Sequence, residues 1–158
     1  MDFVNRAWLA ASGLAFILTM LAAFGSVVNA DNGQVAQIKT VAGQAEILRS
    51  GARIAARVGD SLYEKDTIET GPDGSIGITF IDNTVMSSGP DSQIVLEDYK
   101  FNSSNFKGSM LADMNRGTVS MISGDIARSS PGAMKVKTPT AILGVRGTRF
   151  VIEVKDNR

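Results

Sequence analysis

The stretch Val136-Lys137-Thr138-Pro139-Thr140-Ala141-Ile142-Leu143-Gly144-Val145-Arg146-Gly147-Thr148-Arg149-Phe150-Val151-Ile152-Glu153-Val154 sets the class of this chain. It reads as two short strands joined by a glycine-punctuated bend. Pro139 has no N–H to give to a ladder and should end a strand. Gly144 and Gly147 bracket Val145-Arg146 and permit tight backbone conformations. Beyond them Phe150, Ile152 and Val154 share one face, and Val151, Glu153 and Lys155 the other.

Working outward, short apolar segments alternate with turn signals from Gln34 onward. Gln34 to Val41 reads as a strand, Ala42-Gly43 turns, and Gln44 to Arg49 returns, with Ser50-Gly51 closing that hairpin. Asp66 to Thr70 is a short strand before the turn Gly71-Pro72-Asp73-Gly74. Ser75 to Ile81 is the clearest strand, because Ile76, Ile78 and Phe80 alternate with Ser75, Gly77 and Thr79. Asp82-Asn83 turns the chain so that Thr84 to Ser87 pairs back. Gly89-Pro90-Asp91-Ser92 precedes a strand at Gln93 to Tyr99. Phe101 to Ser109 is polar and Asn/Ser-rich and reads as a mobile loop. Met110 to Met114 and Thr118 to Ile122 read as a pair around Asn115-Arg116-Gly117. Ala127 to Ala133 reads as a loop into Met134 to Thr138. The Gly-Pro-Asp turns begin 18 residues apart, an interval that suits a sandwich, a barrel or a few coils of solenoid.

Composition narrows the chemistry. The chain has 158 residues, with 16 basic and 16 acidic side chains, and no Cys or His. A nucleic-acid binder usually shows a basic excess or stripe, which is absent here. Disulfides, Cys/His zinc sites and Ser-His or Cys-His catalytic pairs are excluded. Few aromatics, 16 Gly and many Val, Ile and Thr fit an all-β domain.

The N-terminal segment reads as a signal peptide over residues 1–30. Arg6 and the terminal amine precede the apolar stretch Ala7 to Phe24, and Val28-Asn29-Ala30 has the form of a cleavage site. The competing reading is an uncleaved N-terminal anchor, since the stretch is just long enough to span a bilayer. Either way, residues 31–158 are expected outside the cytoplasm, periplasmic or secreted.

The run V-K-T-P-T-A-I-L-G-V-R-G-T-R-F resembles the closing motif of the FecR-like domain family. Val41-Ala42-Gly43-Gln44-Ala45, Gly59-Asp60-Ser61-Leu62, Asp66-Thr67-Ile68-Glu69-Thr70-Gly71 and Phe80-Ile81-Asp82-Asn83-Thr84 occur in the family's order. The resemblance implies a twisted, solenoid-like or sandwich-like all-β fold. It also implies a role akin to the periplasmic part of cell-surface signalling regulators. Those regulators carry a cytoplasmic anti-sigma segment before their membrane helix, and with six residues before Ala7 no such segment is expected here. The transcriptional role is therefore not carried over.

Each candidate site has a plainer reading beside it. Gly59-Asp60-Ser61-Leu62 spells a hydrolase signature, but its serine lacks a His base, so a turn before a strand is expected. Asp60, Asp66, Asp73, Asp82 and Asp91 sit mostly at turns, where Asp caps backbone without any metal; none follows a calcium-loop spacing. No pair of carboxylates is fixed at a glycosidase separation. Gly144 to Thr148 resembles an anion nest under Arg146, with Lys135, Lys137 and Arg149 nearby, but it opens no helix. A bend between packed strands is the simpler reading. The expectation is thus a non-enzymatic binding and signalling module with no cofactor, metal or nucleic acid. Its partner is expected to be an envelope protein that adds a strand at the edge formed by Thr148, Arg149, Val151, Glu153 and Lys155. A homodimer through that edge is the other use of it. Contact with a membrane is expected only if the leader is uncleaved. The alternative is an accessory domain for envelope polysaccharide or peptidoglycan. Trp8, the single tryptophan, lies in the leader and leaves the domain none for sugar stacking.

Overall fold

The computed structural model describes residues 33–147 and 149–155. The expected signal peptide, with its helix and its cleavage site at Ala30, lies outside the described residues. The unit from Gly33 onward is all-β, with one short helix.

Twelve strands and helix α1 follow in order: β1 Gln34–Ala42, β2 Ala45–Arg49, β3 Ala52–Ala55, β4 Ser61–Tyr63, β5 Thr67–Thr70, β6 Ser75–Phe80, β7 Val85–Ser88, β8 Gln93–Asn102, β9 Lys107–Ile122, α1 Asp125–Ser129, β10 Met134–Lys137, β11 Ile142–Val145 and β12 Arg149–Val154. They form one sheet creased along a line into two facing halves. One half runs β4-β1-β6-β7 into the C-terminal part of β9, then β12. The other runs β3-β2-β5-β8 into the N-terminal part of β9, then β10 and β11.

The crease is built from glycine turns stacked on one another. At the crease the chain passes between halves at Gly43, at 71–74, at 89–92 and within β9 at Gly117. Gly71 N–H donates to Gln44 O (2.9 Å), Asp91 N–H to Gly71 O (3.0 Å) and Gly89 N–H to Thr118 O (2.9 Å). Thr118 N–H reaches the Ser92 hydroxyl oxygen at 3.1 Å. The two Gly-Pro-Asp turns are therefore neighbours in the same crease, and their interval of 18 residues is one out-and-back passage of chain. At Gly117 the backbone has φ +95°, and a Cβ there would lie 2.1 Å from Ser92 Oγ. No other residue fits without opening the crease.

Several local expectations are corrected. β1 and β2 are not a hairpin, because they lie in different halves; the hairpin at Ser50-Gly51 joins β2 to β3. Met110 to Ile122 is not a strand pair around Asn115-Arg116-Gly117 but part of one 16-residue strand, Lys107–Ile122, bent at the crease. Its buried residues switch from 110, 112 and 114 to 119 and 121, so the bend also flips which faces point inward. The polar stretch 101–109 is mostly ladder: Phe101 opposes Gly108 and Asn102 opposes Lys107. The expected loop after Asp125 contains α1, whose Ile126 and Ala127 are buried in the core. Val136 to Val154 holds three strands rather than two. Gly144 lies inside β11, whereas Gly147 alone takes the left-handed conformation, φ +56°.

The core fills the space between the halves. Ile76, Ile78 and Phe80 of β6 are at most 2 % exposed, as their alternation required. Phe80 stacks on Tyr99 of the opposite half, with ring centroids 5.5 Å apart. Burial of each of these three side chains stabilises by about 1.5–3 kcal/mol.

Candidate functional site

β12 lies at the end of its half-sheet. It pairs with β9 from Arg149↔Ile122 to Val154↔Gly117, and among the described residues no strand pairs with its other side. Phe150, Ile152 and Val154 are half-buried against the core. Arg149, Val151 and Glu153 stand exposed together on the outer face, Val151 at 64 %, and Lys155 follows them exposed. Thr148 lies outside the described residues. The strand alternation alone predicts this face division, because successive side chains of a strand point to opposite sides. β11, which ends the other half of the sheet, exposes Ile142 and Leu143.

The acidic residues considered as metal ligands are dispersed. Among the described residues no three acidic side chains converge as a metal site. Asp60 caps Arg57 N–H (2.9 Å) in the turn before Ser61, and Asp73 accepts from Gln44 N–H across the crease. Asp66 is buried beneath Arg49, which donates Nε–H to Oδ1 (2.8 Å) and Nη2–H to Oδ2 (2.7 Å) and lies over the Tyr63 ring. Ser61 begins β4, and its hydroxyl donates to Gln34 Oε1 at 3.0 Å.

Asp82 is completely buried. Its Oδ1 accepts from the Tyr99 hydroxyl (3.0 Å) and Thr84 N–H (3.2 Å), and its Oδ2 from the Thr84 hydroxyl (2.8 Å) and Ile126 N–H (3.3 Å). Its own N–H donates to the Tyr99 oxygen at 3.1 Å, and its carbonyl accepts from Asp125 N–H at 2.8 Å. One carboxylate thus ties the β6–β7 turn, the opposite half and α1 together. Burial pushes the Tyr99 hydroxyl far above its ordinary range, and the Asp82 charge pushes the same way. Sequence reasoning weighed Asp82 only as a turn residue or a calcium ligand; the order Phe80-Ile81-Asp82-Asn83-Thr84 was the one signal of its role in the core.

A polar row on the outside of the other half was also missed. Glu46, Glu69, Gln93 and Arg116 oppose one another across β2, β5, β8 and β9. Arg53 Nη1 bridges Glu46 (2.8 Å) and Glu69 (2.9 Å), which relieves the repulsion of two carboxylates set directly opposite. Burial pushes Glu69 up, but the Gln93 amide and Arg53 outweigh it and hold Glu69 below its ordinary value. A polar groove of about 270 Å³ opens beside this row.

The family model described as FecR protein matches residues 66–158, more than half of the chain. The chain belongs to the FecR family. No curated protein and no solved structure matches it. The FecR span opens at the buried Asp66 and takes in β5 to β12, including the crease turns after Thr70, the Asp82 network and the β12 edge. Membership makes this a signalling-related domain, in a family of non-enzymatic signalling regulators whose domains occur in envelope-associated proteins. Among the described residues of this FecR domain, no helix is long and apolar enough to cross a membrane.

Proposed function

We propose that this FecR domain is an exported, non-enzymatic module of cell-envelope signalling that binds a protein partner by strand addition at β12. The observation that carries the reading is an edge strand whose second side no strand pairs among the described residues, while its outer face exposes Val151 between two charges. Unpaired N–H and C=O groups supply affinity to an added strand, and flanking side chains supply selectivity. Arg149 and Glu153 discourage indiscriminate pairing, as charges on edges generally do. Export rests on the Arg6, Ala7–Phe24 and Val28-Asn29-Ala30 pattern; N-terminal sequencing of the native protein should find Asp31 first, and a chain beginning at Met1 in the membrane fraction makes the leader an anchor instead.

The edge is tested by capture from envelope extract. Val151→Lys keeps the backbone and should lose the captured partner, and Ile152→Pro should lose it by removing a backbone donor. Equal capture by folded Val151→Lys and by the parent rules the edge out. The groove beside Glu46, Glu69 and Arg116 favours the second reading, contact with an envelope polysaccharide, because hydroxyl-rich ligands exchange water hydrogen bonds for such groups. Retention of the purified protein on peptidoglycan, lost on Glu69→Gln and Arg116→Gln, would select it.

A further inference from the structure

Among the described residues four strands end the creased sheet, β3 and β4 on one side and β11 and β12 on the other. Of these, β4 is three residues long, β11 carries no charge, and β3 carries only Arg53, which is drawn back onto Glu46 and Glu69. β12 is different. Its sequence Arg149-Phe150-Val151-Ile152-Glu153 is self-complementary about Val151. In an antiparallel pairing of two such strands with the two-fold axis at Val151, residue 149 faces 153, 150 faces 152, and 151 faces itself.

We propose that the β12 edge is occupied by a second copy of this chain, paired antiparallel in that register. The proposal rests on the reading of β12 as an open recognition edge and names its occupant. On the outer face Arg149 of each copy meets Glu153 of the other, giving two opposite-charge pairs directly across the junction. The two Val151 side chains, 64 % exposed in the single chain, cover one another. On the inner face the half-buried Phe150 of each copy packs on Ile152 of the other. The interface is isologous, so it closes as a dimer and leaves no further β12 edge free to propagate. A shift of the pairing by one residue would set the charged outer face of one strand against the apolar inner face of the other, and a shift by two would move Arg149 away from Glu153 to face Val151 or Lys155.

Charge reversal and a cysteine scan test this on the purified full chain. Sedimentation velocity across a dilution series should show a monomer–dimer equilibrium for the parent. Arg149→Glu or Glu153→Arg alone turns both pairs repulsive and should weaken dimerisation roughly tenfold or more. The double variant Arg149→Glu/Glu153→Arg restores both pairs and should bring the dimer back. The chain has no Cys, so Val151→Cys introduces a single thiol. Directly opposed residues have Cα atoms about 4.5–5.5 Å apart, within the range a disulfide bridges. Val151→Cys should therefore oxidise to a covalent dimer, whereas Arg149→Cys, about 13 Å from its own copy in this register, should not. A parent that stays monomeric, a double variant as weak as the singles, or crosslinking at 149 and not at 151 overturns the proposal. If the parent is monomeric yet Val151→Lys still abolishes capture of an envelope protein, the occupant is wrong and the edge stands. If Val151→Lys captures as well as the parent does, the edge itself is wrong.

Discussion

Truncating Asp82 to Ala should be among the most damaging single changes in the domain. The side chain is 0 % exposed and accepts four hydrogen bonds, from Tyr99, Thr84 twice and Ile126. Truncation leaves the Tyr99 and Thr84 hydroxyls and two backbone N–H groups buried without this acceptor. Each orphaned donor costs about 1–3 kcal/mol, but neighbours sharing one network do not add, so the loss should be about 3–5 kcal/mol. That is a large share of the 5–15 kcal/mol typical of a whole domain. Asp82→Asn keeps the shape and an acceptor toward Tyr99 but turns a donor toward Ile126 N–H, and should cost about 1–3 kcal/mol. Urea unfolding followed by far-ultraviolet circular dichroism measures both, with the order parent, Asn, Ala. If Asp82→Ala unfolds within about 0.5 kcal/mol of the parent, the network does not hold the halves and α1 together.

Three further outcomes are expected. Phe80→Ala removes a 2 %-exposed ring and its stack on Tyr99, and should lower stability by about 3–5 kcal/mol; coincident thermal melts would show that the inward face of β6 is misassigned. Gly117→Ala combines a left-handed backbone with a Cβ only 2.1 Å from Ser92 Oγ, and should cost about 2–4 kcal/mol in urea, whereas Gly51→Ala, with nothing within 4 Å, carries only the backbone part. Tyr99 is raised above its ordinary value of 10.0 in the folded chain, so unfolded chains lose that proton first as pH rises. Its stabilisation is full below pH 10 and falls above it by about 1.4 kcal/mol per pH unit; Tyr99→Phe should be less stable at neutral pH but show a shallower alkaline decline, and equal declines would place Tyr99 in water.

Local periodicity fixed most strands of this protein before any contact was known. Ile76, Ile78 and Phe80 had to share a buried face, and so did Phe150, Ile152 and Val154, because side-chain alternation is a property of the extended backbone itself. The closing motif likewise carried the family, and the lack of His and Cys bounded the chemistry. Which strand lies beside which was not encoded at that range. Asn115-Arg116-Gly117 has the composition of a hairpin turn, yet it is a crease in a continuous strand, because Ser92 and Thr118 meet there from distant parts of the chain. Asp66 and Asp82 look like ordinary turn acids until Arg49, Tyr99 and Ile126 arrive around them. Burial of a charge depends on partners 17 to 44 residues away, and only the tertiary fold brings those together.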